Sequence, residues 1–227
     1  MKTADLAVGI DAYHKGWVAV TLGDGGFHSA VAASSLAELL AQVGTAGAVG
    51  VDIPIGLPES GARRCDIAAR AFVGPFIGPS VFTVPPKVVL QTKPYEEALA
   101  KCIQLTGAGL SRQAYGLASK ILEAEPVATT WDVVFEVHPE VSFRAMAGQA
   151  LNVRKTSWAG MWDRLELLAH EGIQIPHDLG TVGAVPPADV VDATAAAWSA
   201  SRRAAGVAEA VAEPELSSGE RQVSIWY

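Results

Sequence analysis

Cysteine is scarce in this chain. Cys65 and Cys102 are the only two in 227 residues, they lie in separate segments, and they make no C-x-x-C pair. That excludes a disulfide framework and a cysteine-rich zinc site, and two free thiols in a reducing compartment are expected. Long apolar runs are missing too. Mean hydropathy is +0.25, yet no stretch reaches the length a membrane span requires. The opening MKTADLAVGID lacks the layout of a signal peptide, so a cytoplasmic location with no membrane contact is expected. Basic residues are few, 17 Lys and Arg against 24 Asp and Glu, for a formal net charge of −7. Such a balance disfavours indiscriminate binding to nucleic acid, which needs many cationic contacts to phosphate. The deficit is uneven: residues 63–164 hold 12 Lys and Arg against 9 Asp and Glu, while the two ends together hold 5 against 15. Also absent are H-x-x-x-H, G-x-S-x-G, the P-loop and G-x-G-x-x-G. Zinc peptidases, serine hydrolases, Walker-type NTPases and Rossmann dehydrogenases therefore lack support.

Half of the residues are hydrophobic, enough for a sizeable core, and the length suits one domain, 1–227, carrying an insertion. An apolar strand from Leu6 to Ile10 runs into Asp11. After a turn at Tyr13–Gly16, a second strand begins at Trp17. GDGG at 23–26 reads as a hairpin turn into a third strand, Phe27–Ala33. Ser34 or Ser35 caps a helix bearing Leu36, Leu39, Leu40 and Val43 at helical spacing. A fourth strand, Ala48–Ile53, also carries an acid near its end, Asp52. Residues 59–130 read as a mostly helical insertion. A strand returns at Val133–Val137. The segment SWAGMWDRLELLAHEG predicts a helix with Trp158, Met161, Trp162, Leu165 and Leu168 turned inward. ADVVDATAAAWSASRR predicts another, with proline at its start and arginines at its end. The acidic, polar stretch 206–220 reads as mobile, ahead of a closing strand QVSIWY whose Trp226 and Tyr227 point to a homodimer interface.

Charged residues stand out against this apolar background. Asp11 and Asp52 end two strands, Glu136 lies in a third, and Asp189 and Asp192 share one helix face at i,i+3. An acid in an apolar strand or helix is costly unless something pairs with it. Carboxylates converging from strand ends and one helix are what two divalent cations require, and Mg²⁺ or Mn²⁺ prefer such hard oxygen ligands. Each acid alone has a plainer explanation as a turn former, a helix-start charge or an outward strand residue. Asp192 is the hardest to explain that way, because it interrupts an Ala-rich stretch that otherwise reads as buried. His14 and His138 lie near these acids and suit acid–base chemistry. Arg64 and Arg70, in RRCDIAAR, offer forked donors to phosphate, or Asp66 and Arg70 form an i,i+4 pair within one helix. Gln113, Lys120 and Lys155 are further phosphate-binding candidates.

Taken together, GIDAYHKGW, VDIPIGLP, RRCDIAAR, SRQAYGLASKI, EVHPE and DVVDATAAAW, in that order over nearly the whole chain, resemble the bacterial and archaeal family known as domain of unknown function 429. That family is described as predicted RNase H-like nucleases. The resemblance implies an α/β fold: an RNase H-like mixed five-stranded sheet flanked by helices, its first three strands antiparallel and the rest parallel. It also implies Asp11, Asp52, Glu136 and Asp192 as the catalytic and metal-binding acids, with Asp189 as a helper.

The leading expectation is thus a nuclease or phosphodiesterase dependent on Mg²⁺ or Mn²⁺, acting on a structured or small nucleic acid, with Arg64, Arg70 and Lys155 as substrate contacts. A nucleotide phosphotransferase of the actin and sugar-kinase type is the second reading. It is weakened by a first turn, Ala12–Gly16, poor in small phosphate-cradling residues. A non-catalytic RNase H-like binding module is the third.

Overall fold

The computed structural model describes residues 6–24, 26–217 and 222–227. Its centre is a five-stranded sheet in the order β3-β2-β1-β4-β5. β1 (Ala7–Tyr13), β2 (Gly16–Gly23) and β3 (Gly26–Ala33) form an antiparallel meander. β4 (Ala48–Asp52) lies parallel to β1, and β5 (Val134–Glu136) lies parallel to β4. This mixed sheet with flanking helices is consistent with an RNase H-like fold.

Strand alternation divides the core into two layers. Val8, Ile10, Val49, Val51 and Val134 pack on one side of the sheet with α1 (Leu36–Val43). The Ser35 hydroxyl caps α1 by accepting from the Glu38 amide at 3.2 Å. On the other side Ala7, Ala48 and Phe135 meet Ala196 and Ala200 of a long helix, Pro187–Ala204. Residues 59–130, between β4 and β5, hold α2 (Arg64–Val73), a 3₁₀ turn, α3 (Lys87–Leu90), α4 (Tyr95–Thr106), α5 (Arg112–Gly116) and α6 (Ala118–Thr130). After β5 come α7 (Pro139–Ala147), α8 (Trp158–His170) and the long helix, α9.

Three local expectations need correction. β1 does not stop at Ile10: Asp11 and Ala12 still pair with Val18 and Trp17, so only His14 and Lys15 form the turn. On α8 the buried residues are Gly160, Arg164 and Leu168. This rotates the inward face away from Trp158 and Trp162, which are 83% and 51% exposed and stack on each other. The terminal aromatics are not a free apolar face. The Trp226 amide donates to the Glu136 carbonyl, Arg203 lies 4.1 Å over its ring, and Tyr227 stacks on Phe72. Both aromatics are thus engaged within the chain and half-buried.

The turn at 23–26 includes Gly25, and the stretch 206–220 includes 218–220, all outside the described residues. The described part of that stretch is tied down at several points, among them a strand pairing of Glu215 and Leu216 with Val223 and Gln222. Glu209 exchanges backbone hydrogen bonds with Tyr227, and the Val211 amide donates to Ile225.

Candidate metal centre

Two glycines bring the site together. Gly9 on β1 and Gly50 on β4 are register partners in neighbouring strands. A Cβ on Gly9 would lie 2.0 Å from the Ala193 carbonyl oxygen, and one on Gly50 would lie 2.8 Å from that of Ala196. α9 therefore rests directly on bare backbone. Two residues along, on the same face by strand parity, stand Asp11 and Asp52, again register partners. Asp192 begins the turn of α9 that touches Gly9, so it is laid beside them. Oxygen atoms of Asp11, Asp52 and Asp192 all lie within 4.8 Å of one another.

The cluster is sunk below the surface: Asp11 is 6% exposed and Asp192 1%. Burial, then the neighbouring carboxylates, pushes the Asp11 and Asp52 carboxyls well above their usual range. Burial also raises Asp192, against the pull of Lys155. A cation faces the three acids. The Lys155 ammonium donates to Asp192 Oδ2. Burial alone would lower the Lys155 pKa, but the Asp192 and Asp52 charges outweigh it, so the lysine is held in its charged form. Asp192 Oδ1 is buried with no hydrogen-bond partner. An orphaned carboxylate oxygen in a three-acid cluster is a standing electrostatic cost. A hard divalent cation removes that cost, and an all-oxygen donor set fits Mg²⁺ or Mn²⁺ better than zinc.

Other expected site residues are arranged differently. Glu136 lies outside the three-acid cluster, although it lines the same cleft. Its register partner is Val51, one residue before Asp52, so alternation turns it to the opposite face of the sheet. There both its oxygens accept from Arg63, at 2.7 and 2.8 Å, and the Ile55 amide donates to it at 2.8 Å. Asp189 is half-buried and lines the same cleft as the three acids. Arg64 is exposed, with its amide donating to Glu215. The Arg70 guanidinium donates to the Val81 carbonyl, and neither arginine lines the cleft. Lys120 sits over the Trp17 ring at 4.7 Å. Gln113 and Lys155 do line the cleft. His14 is exposed at the hairpin turn.

Sequence reasoning missed two buried arginines. Arg63 precedes α2 and joins Asp66 to Glu136. Arg164 grips both oxygens of Glu140 at 2.8 and 2.6 Å. The available signals were phase relations: Asp66 lies in step with buried Cys65 and Ala69, and Arg164 lies in step with Gly160 and Leu168.

His138 does line the cleft. Its Nδ1 accepts from the Glu140 amide at 3.3 Å, which leaves the ring proton on Nε2. Burial, then Lys155, lowers its pKa to about 4. It is thus a neutral donor near pH 7 and not a cation.

Residues 9–216 match the profile of a family described as protein of unknown function, DUF429. The chain belongs to this family. No curated protein and no solved structure matches it. The match spans all three clustered acids of this DUF429 protein, and Lys155 and His138 with them. Among the described residues, no helix is long and apolar enough to cross a membrane.

Proposed function

We propose that this DUF429 protein is a metal-dependent hydrolase of nucleic-acid phosphodiesters, with Asp11, Asp52 and Asp192 as the ligands of one Mg²⁺ or Mn²⁺. The observation that carries the reading is the three-carboxylate cluster with its unpartnered, buried Asp192 Oδ1. When bound, such an ion polarises a phosphoryl oxygen and lowers the pKa of water to make a nucleophile.

The chain's own residues supply the rest. Lys155 balances the acids in the metal-free protein and is placed to meet phosphate once they are otherwise neutralised. His138 Nε2–H offers a neutral hydrogen bond to a phosphate oxygen. Asp189, at the rim, orients water. In the reaction a water oxygen forms a bond to phosphorus and the ester P–O bond breaks. The leaving oxygen keeps the electron pair and takes up a proton.

The test is hydrolysis of bis(4-nitrophenyl) phosphate with Mn²⁺. Native protein is expected to release nitrophenolate, with a loss of about 10²-fold or more in Asp192→Asn. Equal rates in the two proteins contradict the assignment.

A further inference from the structure

The cleft that holds the acids is small and has a second wall. Its volume is about 300 Å³, at the lower end of the range for small-molecule sites. The acids come from β1, β4 and α9. The second wall comes from the 59–130 insertion: Phe82 and Val84 from the loop before α3, Gln113 from α5, and Leu117 at the α5–α6 junction.

This wall is pinned to the sheet. The Val84 amide donates to Asp66 Oδ2 at 2.9 Å. Asp66 Oδ1 accepts from Arg63 Nε at 3.1 Å, and Arg63 is forked onto Glu136 at the end of β5. Every member of that chain is buried. The loop is thus a preorganised partner of the metal centre, and Glu136 acts as a positioning residue through Arg63.

We infer that the site takes a single nucleotide unit, a phosphate ester of one nucleoside, and not the backbone of a continuous duplex. This rests on the function proposed above and narrows its substrate. A phosphate reaching Asp11 and Asp192, 6% and 1% exposed, past the half-buried Asp52 must be drawn below the surface. In a duplex each phosphate is flanked by neighbours and by its stacked base, so a cleft of this size admits one unit taken out of the stack. The wall's chemistry fits a nucleoside. The Phe82 ring and the Leu117 side chain offer apolar contact to a base face. The exposed Gln113 amide carries one acceptor and two donors for a base edge. Base–aromatic contact of this kind supports a preference of about tenfold or more over bare phosphate.

The test is calorimetric binding of thymidine 5′-monophosphate and of inorganic phosphate, each with Mg²⁺ present, to native protein, Leu117→Ala and Gln113→Ala. Native protein is expected to bind the nucleotide about tenfold tighter than phosphate. Leu117→Ala, which removes apolar contact, and Gln113→Ala, at an exposed position, should each reduce that ratio while leaving phosphate and Mn²⁺ binding as in native protein. Equal native affinities, or an unchanged ratio in both variants, overturn the inference. Mn²⁺ titration alone tests the metal centre, so the two failures are distinguishable.

A substrate panel separates the sources of the unit. Hydrolysis of the 4-nitrophenyl ester of thymidine 5′-monophosphate alone identifies free nucleotide esters. Stepwise loss of terminal residues from a labelled single strand identifies strand ends. Cutting of closed circular duplex DNA at a rate near that of the ester overturns the inference.

Discussion

Gly9 and Ala193 are in backbone contact: a Cβ on the glycine would sit 2.0 Å from the Ala193 carbonyl oxygen. That contact sets the height of α9 above β1, and with it the distance from Asp192 to Asp11. Gly9→Ala is therefore expected to lift the helix. It should cost about 1–3 kcal/mol in urea denaturation and weaken Mn²⁺ binding about tenfold or more. Gly116→Ala, where an added Cβ meets nothing within 4 Å, is the control and should change neither.

The three clustered acids set stability against metal binding. Their folded-state pKa values are raised above the ordinary 3.8. In the metal-free protein they therefore contribute stability fully below that pH, and it is lost as pH rises through the folded values. Asp11→Asn removes one such charge. In chelator near pH 7 it should melt above native protein by roughly 2–4 °C for each ~1 kcal/mol relieved. The gap should close as pH falls toward 3.8 and reverse in saturating Mn²⁺, which stabilises only the native site. Differential scanning calorimetry at several pH values reads all three effects. The same protons compete with the metal, so native Mn²⁺ affinity should rise with pH above 3.8 and then level off.

Lys155 occupies the electrostatic place of a metal ion. Lys155→Met should bind Mn²⁺ more tightly, by about tenfold, and should lose stability in chelator because the acids are then uncompensated. Weaker Mn²⁺ binding in this variant would make the lysine a supporting element of the site and not a competitor.

Glu136 positions the cleft's second wall through Arg63 and is not a metal ligand in this account. Glu136→Ala breaks a buried pair with Arg63 and should cost about 3–5 kcal/mol of stability. The Mn²⁺ affinity of the folded fraction should stay within about twofold of native. A selective loss of metal binding with stability intact would return Glu136 to the metal centre.

The sheet was legible from its pattern: apolar strands broken by GDGG and the glycines after α1, then a capped helix before a fourth strand. Asp11, Asp52 and Asp192 were legible because each interrupts an apolar run that otherwise reads as buried. Glu136 lines the cleft but falls outside the three-acid cluster, because its face depends on register against β4, which a three-residue strand does not reveal. The α8 face was misread because Trp158 and Trp162 are apolar by type, while the buried Arg164 is charged and finds its partner, Glu140, 24 residues away. Arg63 was passed over for Arg64 because only the start of α2 decides which of two adjacent arginines turns inward.

The most direct measurement is Mn²⁺ titration by calorimetry of native protein, Asp11→Asn and Asp192→Asn. The account predicts one ion bound by native protein and an affinity loss of at least about tenfold in each variant. Native binding that survives both substitutions, or no native binding at all, would contradict a metal centre built from these carboxylates.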